Sequence, residues 1–215
     1  MIKKPAYFNT AVQALLAIIS IAFFATAANA AGSADSGAEK ASTCVACHGP
    51  DGNSANPSWP SLAGQNEAYF VKTIEAFKLP QGEDGGRYDV IMSGQSMALS
   101  EQDAADLGAY FAKQKMAGKV ADPALVGTGE RLYRGGNKAA GVSACIACHG
   151  PSGRGNAPAA YPSLAGQHAV YTIKQLKDYR SAARMSDDSA IMRSISERLT
   201  DDEIAAVASY IQGLR

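Results

Sequence analysis

Outside two five-residue segments the chain has no cysteine, and its 215 residues include only three histidines and one tryptophan. A disulfide scaffold is excluded, because all four thiols lie in those segments and none is left to pair elsewhere. After Ala31 no apolar run is long enough to cross a bilayer. No window alternates apolar and polar residues as a half-buried strand requires, so the chain reads as all-α. Acidic and basic side chains number 20 each. With no basic surplus to grip a phosphate backbone, nucleic acid is not an expected partner.

The two segments are Cys44-Val45-Ala46-Cys47-His48 and Cys145-Ile146-Ala147-Cys148-His149. Each sets two thiols three positions apart with an imidazole directly after the second. In this pattern the thiols add across the vinyl groups of a c-type haem, and the turn that carries them aims the histidine at iron. Cys44, Cys47, Cys145 and Cys148 are therefore the expected thioether sites of two covalent haem c groups, with His48 and His149 as proximal ligands. A four-cysteine zinc site and a thioredoxin-type redox pair are the competing readings. Zinc ribbons usually keep their pairs close, whereas almost a hundred residues separate these two.

Residues 1–30 read as a signal peptide. Met1-Ile2-Lys3-Lys4 is a basic start, Ala14 to Ala28 is an apolar run interrupted only by Ser20 and Thr26, and Ala28-Asn29-Ala30 supplies a small-x-small cleavage pattern. A retained membrane anchor is the alternative, since the apolar stretch is near the lower length limit for a span. Cleavage is favoured by the small-residue exit and the lack of a basic stop behind it. The remainder would then be a soluble protein outside the cytoplasmic membrane.

After residue 30 the chain is a duplication. Pro60-Ser61-Leu62-Ala63-Gly64-Gln65 returns unchanged as Pro162-Ser163-Leu164-Ala165-Gly166-Gln167; Tyr69 matches Tyr171, and Ile91-Met92 matches Ile191-Met192. The boundaries predicted are 31–120 and 121–215, with the join near Gly118 to Pro123. Helices are predicted over Ser33 to Thr43, Asn66 to Lys78, Ala124 to Arg134 and His168 to Arg180. A last helix in each copy starts at the capping boxes Ser100-Glu101-Gln102-Asp103 and Thr200-Asp201-Asp202-Glu203. Its apolar stripe should pack on the short helix heading the same copy. Little large apolar side-chain volume is available to each copy, and haem is expected to complete the core.

A histidine-bound iron has a second face, and its occupant separates electron transfer from chemistry on a bound molecule. His168 has Asn66 opposite it and cannot serve two sites alike. Of the methionines only Met92 and Met192 coincide between copies, each seven positions before the Leu that precedes the last helix. They are the expected distal ligands; Met97 falls opposite Glu197 and would break the symmetry. A thioether favours ferrous iron and raises the reduction potential, which suits passage of electrons from quinol-oxidising machinery to an oxidase. A ligating imidazole also needs an acceptor for its other N–H. The carbonyls of Pro60 and Pro162 are the candidates.

Taken together, C-x-x-C-H, Pro-x-Leu-Ala-Gly-Gln, the Met before a Leu-Ser/Thr cap, and the duplication resemble the dihaem cytochromes c4. The resemblance implies tandem class I cytochrome c domains about a pseudo-twofold axis, with haem propionates near the domain interface. It also implies periplasmic electron transfer, often from a bc1-type complex, to a terminal oxidase, by an electron carrier rather than an enzyme. The redox partners would dock from membrane complexes without this chain spanning the membrane. The first copy departs from the pattern in a Gly-rich, charged loop from Lys78 to Tyr88. Competing readings are the haem subunit of a sulfide-oxidising flavocytochrome and a dihaem peroxidase or thiosulfate-oxidising enzyme. Charge divides unevenly, with twelve acidic and seven basic residues from Ala31 to Asp122 against eight and eleven from Pro123 to Arg215. That polarity could orient the protein towards partners of different charge.

Overall fold

The structure, a computed structural model, describes residues 31–215; the expected leader, with its cleavage site and its alternative as an anchor, lies outside the described residues. The first half carries α1 (Ala34–Lys40), α2 (Ser42–His48), α3 (Glu67–Lys78), α4 (Val90–Ser96) and α5 (Glu101–Lys113). The second carries α6 (Val126–Gly135), α7 (Ile146–His149), α8 (Ala169–Arg180), α9 (Ile191–Glu197) and α10 (Asp201–Gly213). Two short 3-10 turns join them, and the only β pairing among the described residues is three isolated bridges. No helix of the described residues is long and apolar enough to cross a membrane.

The helix predicted from Ser33 to Thr43 is two helices. Ser33 caps the first, accepting from the Ser36 N–H at 3.3 Å. At Ala41 the chain tightens, with Cys44 N–H donating to the Ala41 carbonyl at 2.9 Å, and this redirects the helix that bears the motif. The caps of α5 and α10 form as the sequence predicts. Ser100 and Asp103 bond reciprocally, and so do Thr200 and Glu203. Helices α4 and α9, which carry Met92 and Met192, were not in the sequence reading. Each spans only seven residues, too short for a periodic apolar stripe to show.

In each half the head helix crosses the last helix where both backbones nearly touch. A Cβ on Gly37 would lie 2.0 Å from the Asp106 carbonyl oxygen, and one on Gly129 would lie 2.1 Å from that of Ala206. Glycine is required there because a methyl group has no room. Around the first crossing pack Ala41, Phe70, Ile74, Ala104, Leu107 and Phe111. Around the second pack Leu132, Tyr133, Ile204, Val207, Tyr210 and Ile211. The expected packing of head helix on tail helix is thus the core of each half.

The halves meet through their repeated loops. Gln65 bonds the backbone of Ser163, and Gln167 bonds the backbone of Ser61. The connecting segment is tied down along its way by Lys119 Nζ donating to the Gly166 carbonyl at 2.6 Å and by Gln212 Nε2 donating to that of Val120 at 2.7 Å.

Candidate functional site

Both motif histidines are buried at the end of their helix, 6% exposed in each case. The Nδ1 of His48 lies 2.8 Å from the Pro60 carbonyl oxygen, and that of His149 lies 3.0 Å from the Pro162 carbonyl oxygen. These are the acceptors expected from the sequence. A carbonyl can only accept, so Nδ1 carries the proton and Nε2 keeps its lone pair for a metal. Burial pushes both imidazoles towards the neutral form, and the bond to the proline carbonyl opposes it only in part.

The thiols show what chemistry they suit. All four cysteines are free and half-buried. Burial raises the Cys44 thiol, and burial brings Cys145 up to about 11. A thiolate zinc ligand or a redox nucleophile needs the opposite shift. Among the described residues no group of three or more His, Cys, Asp or Glu side chains could hold a metal ion. Two free thiols beside an Nδ1-anchored imidazole fit a covalently attached haem, and this holds in both halves.

Met92 and Met192 are half-buried in the first turns of α4 and α9. The Asp89 carboxylate caps α4 by accepting from Ile91 N–H at 3.1 Å and Met92 N–H at 3.0 Å. Met97 is 66% exposed. His168 occupies the cap position of α8 but caps nothing: its ring Nε2 lies 2.9 Å from the Ser54 carbonyl oxygen in the other half. Its counterpart Asn66 does cap, accepting from Tyr69 N–H at 2.8 Å, and also reaches across to the Tyr161 carbonyl at 2.9 Å. Tyr133 was missed in the sequence. Its hydroxyl donates to the Gly150 carbonyl at 2.7 Å and pins the turn behind the second motif. A fully buried serine follows each Met by four positions, and neither Ser96 nor Ser196 has a partner for its hydroxyl among the described residues.

Helix-wrapped C-x-x-C-H motifs with anchored histidines define a c-type cytochrome with two haem-binding domains. The Cytochrome c family matches residues 34–115 and 129–215. Cytochrome c4 of Azotobacter vinelandii is 52% identical over 166 residues, covering 75% of this chain and 79% of that protein. A thiosulfate dehydrogenase electron acceptor of Thiomonas intermedia is 35% identical over 161 residues, covering 73% of this chain and 71% of its own length. The crystal structure of reduced recombinant cytochrome c4 from Pseudomonas stutzeri superposes with a TM-score of 0.82 at 46% identity, covering 86% of this chain and all (100%) of the other. The chain belongs to the cytochrome c family and, within it, to the dihaem cytochromes c4. It is an all-α electron-transfer protein whose paired cysteines, Cys44 with Cys47 and Cys145 with Cys148, indicate two covalent haem c groups.

Proposed function

We propose that His48 with Met92, and His149 with Met192, would hold the two irons, and that the protein carries electrons without binding substrate at either. The observation that supports this most is the repeat of one arrangement. In each half a buried imidazole is fixed through Nδ1 to a proline carbonyl, and a half-buried Met sits at the head of a short helix. Bound haem supplies a one-electron couple. The protein's residues orient the imidazole, keep it neutral, and offer a soft thioether that favours the ferrous state.

The domains divide near residue 120, and after removal of residues 1–30 the protein works in the periplasm. A bc1-type complex is the proposed donor and a terminal oxidase the acceptor. A second reading has support in the relative named as a thiosulfate dehydrogenase electron acceptor. In that reading the electrons arrive from a sulfur-oxidising enzyme, and the carrier role is the same. A flavocytochrome haem subunit would instead co-purify with a flavin-bearing chain.

Optical spectroscopy tests the ligand set. The oxidised protein should show a methionine-to-ferric-iron band for two haems, and the reduced protein should not bind carbon monoxide. Met92→Ala and Met192→Ala should each remove half of that band and open one iron to carbon monoxide. Carbon monoxide binding by the native protein would replace the carrier by an enzyme of the peroxidase or thiosulfate-oxidising type.

A further inference from the structure

Helix α4 has two unlike sides. Met92 and Ser96, one turn apart, lie on the inner one, the first half-buried and the second buried completely. Val90, Gly94 and Met97 follow one another at four and three positions along the outer one, with Ile91 beside them. Val90 is 76% exposed, Ile91 54% and Met97 66%. A Cβ added to Gly94 would meet nothing within 4 Å, so the middle of this stripe lies open. No residue from Val90 to Ser100 is charged. The duplication shows that folding does not ask for this. Where α4 and its flanks have Tyr88, Val90, Gly94, Met97 and Ala98, the second half has Asp188, Ala190, Ser194, Glu197 and Arg198. The same short helix forms there with small and charged residues outside. Single exposed apolar side chains need no explanation, but a stripe of them on one copy, absent from its twin, marks a place of contact.

The segments that enter and leave α4 are acidic. Glu83 and Asp89 precede it and Glu101 opens α5, and none of the three forms an ion pair among the described residues. The bases nearby are taken. Lys78, whose Nζ reaches the Leu99 carbonyl at 2.8 Å, pairs with Glu75 at 2.7 Å. Lys40 pairs with Asp103 and Asp106, and Arg193 of the second half with Asp84 and Asp187. Arg87, the one base in the chain between Lys78 and Lys113, is buried. An apolar centre inside a charged rim is the make-up of a protein–protein contact. The sign of the rim selects the occupant. A second copy would set one acidic rim against another, and a lipid surface presents anionic headgroups, so both are repelled. A protein whose own apolar patch is ringed by lysines or arginines is drawn in.

We propose that the outer side of α4 is the docking face for a redox protein with a basic-rimmed apolar patch, and that this partner exchanges electrons with the first half of the chain. One electron moves at a time, the partner's centre being oxidised as this half is reduced, or the reverse. A helix with its side chains is about 10–12 Å across, so a partner seated on Val90 and Met97 has a single helix between it and the side that carries Met92. The inference rests on the two-haem carrier reading above and adds to it which half meets a basic partner, and by which surface.

Nuclear magnetic resonance on the 15N-labelled native holoprotein tests it, with mitochondrial cytochrome c, a redox protein with lysines around its exposed haem edge, as the probe. At low ionic strength the probe should perturb the amide signals of residues 88–98 and leave those of 188–198 in place, and added salt should reverse the effect. Val90→Ser combined with Met97→Ser, which leaves the charge unchanged, should weaken binding about tenfold or more. Glu83→Gln with Glu101→Gln should flatten the salt dependence, and Ile191→Ser should bind as the native chain does. Haem content and the methionine-to-iron band are recorded on every sample. With two haems and that band present, a footprint outside residues 88–98, or a serine variant that binds like the native chain, overturns the docking face and leaves the carrier reading intact. A native chain without haem, or without the band, overturns the carrier reading and the docking face with it. Self-association of the native chain that the serine variant loses would give the face to a second copy, and binding to anionic vesicles that the variant loses would give it to a membrane; either result overturns the proposal. The footprint on the native protein needs no variant, so it decides even where a substitution disturbs the fold.

Discussion

Gln65 grips Ser163 by both of its backbone groups: Oε1 accepts from the Ser163 N–H at 2.8 Å, and Nε2 donates to the Ser163 carbonyl at 3.0 Å. Gln167 does the same to Ser61, at 2.9 and 2.8 Å. Ser61 and Ser163 each follow the proline whose carbonyl fixes a motif histidine. The side chain that aligns one half therefore braces the proximal loop of the other.

Replacing either glutamine should be felt on the far side of the interface. Gln167→Ala leaves two backbone groups of Ser61 unpaired, each worth about 1–3 kcal/mol when buried. A loss of about 2–4 kcal/mol in urea denaturation is expected. The larger change in midpoint potential should fall on the haem attached to Cys44 and Cys47, although the substitution lies in the other half. Equal changes on both haems, or one only on the haem beside Cys145, would contradict the bracing.

The helix crossings should not admit a methyl group. Gly37→Ala and Gly129→Ala set a Cβ against a backbone carbonyl oxygen of the partner helix. Overpacking of this kind costs about 1–3 kcal/mol, and calorimetry should show it as a lowered unfolding temperature. Gly94, whose added Cβ would meet nothing within 4 Å, is the control, and Gly94→Ala should leave that temperature unchanged or raise it slightly.

Acid should loosen the first half through Asp106. Its carboxylate accepts from Lys40 Nζ at 2.5 Å, from Ser33 N–H at 2.8 Å and from Gln102 Nε2 at 2.9 Å. Those bonds, led by Lys40, hold it down to about 2. A carboxyl depressed on folding stabilises fully above its unfolded value near 4, and that stability is lost as pH falls from there towards about 2. Stability measured by denaturant across this range should decline, and Asp106→Asn should flatten the slope. A variant with the native slope would move the acid sensitivity elsewhere.

The two capping boxes are an independent measure of the tail helices. Thr200→Ala and Ser100→Ala each remove a side-chain acceptor from the first turn, and each should cost about 1 kcal/mol. The loss is read by thermal melting followed in the far ultraviolet.

Much of this was legible because the repeat states it twice. The proline acceptors could be found by their matched spacing, Pro60 twelve positions after His48 and Pro162 thirteen after His149, and the caps by their side-chain chemistry. The loop glutamines were visible as a repeat, but not as a clamp, since nothing local distinguishes a solvated amide from one that reaches another domain. Arg87 and Arg184, each bonded to the repeated tyrosine of the opposite half, were hidden for a different reason. They stand 97 positions apart, where the flanking offsets are 102 and 100, because the loops before and after them differ in length between the halves. Spatial equivalence survived there while sequence register did not. His168 was legible as a helix-start residue, but its bond to the Ser54 carbonyl depends on the docking of the other half.

The reciprocal glutamine grip is its own mate under a half-turn, because the same six residues serve as hand in one half and as handle in the other. Two untethered copies of such a unit would each carry both sides of this grip. The peptide connection between them makes the partner ever-present, turning a dimer governed by dilution into a single molecule that cannot lose its twin.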